Sequence, residues 1–311
     1  MKPKIIVIAG PTAVGKTEYA IKAAQAFNGE IISADSMQLY KYMDIGSAKP
    51  TPEELSQARH YLVDEIDPGQ DFSVSEYQRM AKDCIRQVLE KGMLPIISGG
   101  TGLYINSLIY DMDFSSTPQD PARRAELRGL LAENGPEYLH RMLMETDPQA
   151  AARIHPNNSK KIIRAIEAAE AGNPIPDFKE SFSKTGDYDY LLIGLDRQRQ
   201  ELYDRINLRV DLMAEAGLEN EVRGLLNRGL TSDSISMKGI GYKEMIDYIL
   251  GSASYEDTLD LIKQSSRRYA KRQLTWLRRY DDLHWINLSD SKEGSFDIMK
   301  KMISDFLSSG N

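Results

Sequence analysis

At 311 residues the chain has room for two domains, or for one large domain with an insertion. Its composition, 41% hydrophobic and 27% charged, is that of a globular protein; no apolar run approaches the roughly 18 residues of a membrane span, no secretory pattern opens the chain, and a cytoplasmic location is expected. A net charge of −7 excludes indiscriminate nucleic-acid binding but not a local basic face, and the single Cys84 excludes an internal disulfide or a multi-cysteine metal site.

The first element is a short, apolar, β-branched run, Ile5 to Ala9, which predicts a strand covered on both faces in a parallel sheet. It leads into Gly10-Pro11-Thr12-Ala13-Val14-Gly15-Lys16-Thr17, the phosphate-loop motif familiar from ATP-binding proteins. Gly10 and Gly15 let successive N–H groups turn toward one anion, and Lys16 adds a point charge. Thr17 offers a hydroxyl to Mg2+, and the helix that follows presents its positive end. A compound with at least two phosphates is expected here, its identity left open by the motif.

A helix over Lys16–Phe27 ends at Asn28-Gly29, and a second buried strand, Glu30–Ala34, delivers Asp35-Ser36-Met37-Gln38 at its carboxyl end. In open parallel sheets that end borders the ligand crevice, so Asp35 reads either as a turn cap or as a carboxylate beside the phosphates. Residues 39 to 70 read as irregular, punctuated by Pro50, Pro52, Pro68 and Gly69. Ser73-Val74-Ser75-Glu76 is a capping box for a helix that stops at Gly92. The third strand, Leu94–Ser98, ends in Gly99-Gly100-Thr101-Gly102, where a nucleotide-hydrolysing enzyme would usually place a magnesium-binding acid.

From Ser115 to Gly186 the strand–helix alternation lapses into helical patterns at Pro121–Glu133, Pro136–Glu145 and Ser159–Ala171. The expected architecture is therefore α/β: a P-loop core with a parallel sheet flanked by helices, formed by residues 1–114 and 187–311, and a helical insertion at 115–186. The insertion carries Arg123, Arg124 and Arg128 near its start and Lys160, Lys161 and Arg164 near its end. The sheet resumes at Tyr190–Asp196, followed by a helix with Arg205 and Arg209 beside an apolar row. Lys238-Gly239-Ile240-Gly241-Tyr242-Lys243 reads as a glycine-rich turn. A helix from Tyr255 to Tyr280 then sets Arg267, Lys271 and Arg278 beside Arg268, Arg272 and Arg279, two adjacent basic rows that suit a polyanion.

These blocks together resemble the tRNA dimethylallyltransferases, also called tRNA isopentenyltransferases. The match extends over Asp35–Tyr40, Met43–Pro50, Ser98–Tyr104, Arg153–Asn157, Arg205 with Arg209, Gly241-Tyr242, Ala270–Gln273 and Thr275–Arg278. The resemblance implies a transferase that moves a dimethylallyl group from dimethylallyl diphosphate to N6 of the adenosine 3′ of the anticodon. The diphosphate would occupy Gly10–Thr17, Asp35 would be the general base, and Thr101 would sit near the diphosphate and the amine. Lys16, Arg205 and Mg2+ held partly by Thr17 would stabilise the leaving group. Contacts to the anticodon stem-loop would come from Asp35, Ser36, Met37, Gln38, Thr101, Arg124, Lys160, Lys161, Arg164, Gly239, Gly241, Tyr242, Lys243, Arg267, Lys271 and Arg272. A monomer without a membrane partner is expected.

Overall fold

The computed structural model describes residues 2–112, 120–175, 183–290 and 292–309, without the side chains of residues 292 and 293. Ser115, the expected start of the insertion, lies outside the described residues. The described residues form two compact units, one of Met1–Ile109 with Gly186–Asn311 and the other of Tyr110–Thr185.

The first unit is built on an all-parallel sheet of six described strands, β1 (Lys4–Ala9), β2 (Gly29–Ser33), β3 (His60–Tyr61), β4 (Leu94–Gly99), β5 (Asp189–Asp196) and β6 (His284–Asn287), in the order β3-β2-β4-β1-β5-β6. Helices cover its faces, so central strands must be apolar on both sides, and Ile5 to Ala9 are all buried. Register then places the chemistry: Ala9 lies opposite Gly99, and Ser33 opposite Ser98. The segments that begin at Gly10, Ala34 and Gly100 consequently leave the sheet along one edge, the usual ligand-bearing edge of a parallel sheet.

The helices of the first half are α1 (Lys16–Ala26), α2 (Pro52–Gln57), α3 (Val74–Glu90) and α4 (Gly102–Ile109). The α3 capping box forms as expected, with the Ser73 hydroxyl accepting from the Glu76 N–H and the Glu76 carboxylate accepting from the Ser73 N–H. The stretch expected to be irregular contains α2, with its own capping box at Thr51, and the two-residue strand β3. Periodicity cannot announce elements this short. It also fails for α4, in which Tyr104 through Ile109 are all buried, because a helix covered on every side has no polar stripe.

In the second unit α5 (Pro121–Asn134), α6 (Pro136–Thr146), α7 (Pro148–Arg153) and α8 (Ser159–Glu170) pack around Leu127, Leu139, Leu143, Ile162 and Ile166. The first unit continues with α9 (Arg199–Glu215), α10 (Leu218–Asn227), α11 (Tyr242–Ile249), α12 (Tyr255–Leu277) and α13 (Lys292–Ser308). Leu202, Ile206 and Val210 are the buried row of α9. The expected glycine-rich turn forms over Gly239, Ile240 and Gly241, between a single 3₁₀ turn at Ser236–Lys238 and α11. Helix α12 ends at Leu277, one turn earlier than the sequence suggests.

Candidate active site

The loop from Gly10 to Thr17 is shaped by two residues in left-handed conformations, Ala13 at φ +62° and Gly15 at φ +113°. Gly15 suits such a backbone; Ala13 occupies it at a cost of order 1 kcal/mol, which the surrounding contacts must offset. Those contacts are hydrogen bonds to the loop's carbonyls. Lys16 Nζ donates to Pro11 O (2.8 Å), Arg205 Nε to Ala13 O (2.9 Å) and Arg197 Nε to Val14 O (2.9 Å). A peptide's C=O and N–H point in opposite directions, so carbonyls held outward turn the amides inward, and the loop becomes an anion nest at the start of α1.

A crevice of about 720 Å³ opens over this nest. Residues Thr12, Ala13 and Gly15 to Thr17 line it together with Asp35 to Gln38, Arg205, Arg209, Lys238 to Ile240, Lys243, Tyr269 and Arg272. Six cations line this space against three acids, Glu18, Asp35 and Glu54, a positive balance that suits an anion. Burial pushes the Lys16 ammonium down to about 8, with Asp35 opposing that shift and Arg209 adding to it. Burial likewise holds Arg209 below its ordinary value. An incoming polyanion would relieve both costs.

Asp35 combines the two readings its position allowed. One carboxylate oxygen, Oδ1, accepts the Met37 N–H (2.9 Å) and caps the turn, while the side chain borders the crevice. Thr101 braces the same turn: its hydroxyl accepts the Ser36 N–H (3.1 Å), and its own N–H donates to Ala34 O (3.1 Å). Gln38 is occupied internally, its amide bonded to Ser33 and to Ala48 O. Thr17 lines the crevice beside Lys16. No group of three or more His, Cys, Asp or Glu that could hold a metal occurs among the described residues.

The structure divides the remaining expected residues. Lys271 and Arg272 are exposed on α12, and Lys160, Lys161 and Arg164 are exposed on α8. Gly239 and Lys243 border the crevice, and Gly241, at φ +96°, precedes α11. Tyr242 departs from expectation: its ring is fully buried and its hydroxyl donates to Glu221 (2.8 Å), so the side chain is a core strut with no face toward the crevice. Two arginines are also engaged. Arg124 forms a two-pronged pair with Glu167 (2.8 and 2.7 Å), and Arg267 donates to Asn207 Oδ1.

Sequence reasoning named no site role for four residues that the fold brings to the loop or its crevice: Arg197, Arg209, Tyr269 and Gln273. Arg209 lies one helical turn beyond Arg205 and donates to the Thr12 hydroxyl (3.2 Å), and that i+4 spacing was its signal. Arg197 is buried and has no such pattern. Burial raises the Tyr269 phenol to about 12, with the charge of Asp35 adding to the effect.

A family model described as IPP transferase matches residues 38–280. The chain is 53% identical over 291 residues to the tRNA dimethylallyltransferase of Alkaliphilus oremlandii, covering 93% of each sequence, and 48% identical to that of Clostridioides difficile, covering 97% of each. Among solved structures, the tRNA isopentenylpyrophosphate transferase of Bacillus halodurans matches with a TM-score of 0.75 at 42% identity, over 98% of this chain and 97% of that one. A eukaryotic dimethylallyltransferase acting on tRNA matches with a TM-score of 0.84 at 27% identity, over 97% of this chain and 80% of that one.

Proposed function

The chain belongs to the IPP transferase family, and from that premise we propose that it moves a dimethylallyl group from dimethylallyl diphosphate to N6 of adenosine 37, immediately 3′ of the anticodon, in tRNAs that read codons beginning with U. It is a tRNA-modifying prenyltransferase. The observation that carries the finer reading is the joining, in one crevice, of the anion nest after β1 with the carboxylate of Asp35 after β2, two strands away in the sheet.

The reaction follows from what these groups can do. As the allylic carbon–oxygen bond breaks, negative charge grows on the departing diphosphate, where the loop amides, Lys16, Arg205 and Arg209 hold it. N6 is a poor nucleophile because its lone pair is delocalised into the adenine ring, and as the carbon–nitrogen bond forms it must lose a proton or be left positively charged. The free oxygen of Asp35 takes that proton, a contribution of about 10² to 10⁴ in rate. Products are N6-(dimethylallyl)adenosine, diphosphate and a protonated Asp35 that returns its proton to water.

The donor set suits Mg2+, a hard cation that takes one or two protein oxygens and completes its shell with phosphate and water. Thr17 would supply the hydroxyl, and the ion would add Lewis-acid stabilisation to the leaving group. An adenine stacked in a loop must be drawn out to reach a crevice. Lys243, Lys271 and Arg272 are suited to hold the RNA backbone while that happens, as are Lys160, Lys161 and Arg164 of the helical unit; among the described residues none of them has an ion pair apart from Lys243's contact with Glu244. Arg124, tied to Glu167, would act by fixing the helical unit's surface. We place the activity in the cytoplasm, with the protein acting as a monomer; among the described residues no helix is long and apolar enough to cross a membrane.

The test is a transfer assay with magnesium and radiolabelled dimethylallyl diphosphate, offered unmodified tRNA or AMP and ATP. Label in adenosine 37 of tRNA alone supports the reading. Label in free nucleotide, or ATP hydrolysis without transfer, overturns it.

A further inference from the structure

Helix α12 has two faces with different business. Outward it carries Arg268, Lys271 and Arg272, all exposed. Inward, Tyr269, Gln273 and Trp276 recur at spacings of four and three, and Tyr280, just past the end of the helix, continues the row. The Gln273 carboxamide is buried and uses both ends: Oε1 accepts the Thr12 N–H (2.9 Å), and Nε2 donates to Gly100 O (3.0 Å). One side chain thus bridges the phosphate loop and the turn that carries Thr101, and it turns one loop amide, Thr12, away from the anion nest.

The neighbouring glycines belong to the same arrangement. A Cβ on Gly100 would come within 2.2 Å of Gln273 Nε2, and one on Gly102 within 2.3 Å of the Trp276 ring. The turn can approach α12 this closely only without side chains. Tyr280 extends the seam by donating to Asn106 Oδ1.

We infer that Gln273 is a positioning residue for the transfer reaction, fixing the phosphate loop relative to Thr101 and Ser36 so that the allylic carbon and the adenine amine meet at attack distance. The inference rests on the reaction proposed above. Gln273 acts through Thr12 and Gly100, since both polar ends of its carboxamide are engaged there. Because it follows Lys271 and Arg272 directly, the helix that would receive tRNA phosphates also sets the geometry of the crevice. Misplacement of reacting groups by about 1 Å costs roughly 10²-fold in rate, which sets the scale of the effect.

The experiment compares the parent with Gln273→Met and Gln273→Glu for kcat, for KM toward dimethylallyl diphosphate and tRNA, and for thermal midpoint. Methionine keeps the volume and removes both hydrogen bonds; glutamate keeps the acceptor for Thr12 but cannot, when ionised, donate to Gly100. The expected result is a kcat lower by about 10- to 100-fold in both variants, with KM for tRNA unchanged and folding preserved. A kcat unchanged in Gln273→Met, or equal to the parent in Gln273→Glu, overturns the inference, as does a loss that follows the thermal midpoint and both KM values together. The parent reports separately: if it transfers no label to tRNA, the reaction itself has been misassigned.

Discussion

The affinity of the crevice for diphosphate should weaken as pH rises through the titration of Lys16. In the free protein burial lowers this ammonium to about 8, far below an exposed lysine, because the loop withdraws it from water and Arg209 lies near. Only the charged form attracts the ligand. At pH 7 about nine-tenths of the molecules carry that charge and at pH 9 about one-tenth do, so apparent affinity should fall about tenfold, or about 1.4 kcal/mol, across that interval. Binding at pH 9 should also take up close to one proton, since the bound anion restores the charged form. Calorimetric titration with a non-reactive thiodiphosphate analogue, in buffers of different ionisation enthalpy, measures both quantities. Lys16→Arg supplies the control, because a guanidinium stays charged throughout and its profile should be flat. A flat profile in the parent, or the same slope in Lys16→Arg, would refute the assignment of Lys16 as the titrating phosphate contact.

Three further outcomes follow from particular contacts. Asp35→Asn retains an oxygen to cap the Met37 N–H, so tRNA binding by filter retention should be preserved while transfer falls by about 10² to 10⁴; parallel losses would show that Asp35 serves the turn alone. Lys271→Ala should weaken tRNA binding uniformly and flatten its salt dependence by about one unit of logarithmic slope, with diphosphate affinity unchanged. Glu221→Ala removes an acceptor for the N–H groups of Asp44 (2.8 Å), Ile45 (2.7 Å) and Gly46 (3.0 Å) and for the Tyr242 hydroxyl (2.8 Å). Urea unfolding should show a loss of about 3 kcal/mol, and a change below 1 kcal/mol would mean that these donors find water instead.

What the sequence determined by itself was whatever is local. The phosphate loop announces itself because every function in it is discharged by residues adjacent in the chain: glycine freedom, a lysine, a hydroxyl and a helix start. The buried strands were legible because a parallel sheet covered on both faces demands unbroken apolar runs, and the α3 capping box because its partners are three residues apart. Asp35 could be placed on the side of the phosphate loop from its position after a buried strand, since one edge of a parallel sheet collects all the carboxyl ends. Tertiary structure decided the rest. That Tyr242 is a buried strut depends on Glu221 and on the loop at Gly46. That Arg124 is neutralised depends on Glu167, 43 positions away. Gln273 meets Thr12 across 261 residues, and no periodicity carries such a pairing. Hydrogen bonds of that separation exist only once the sheet register and the seat of α12 are fixed, so the machinery of the loop was readable in one dimension and its supports only in three.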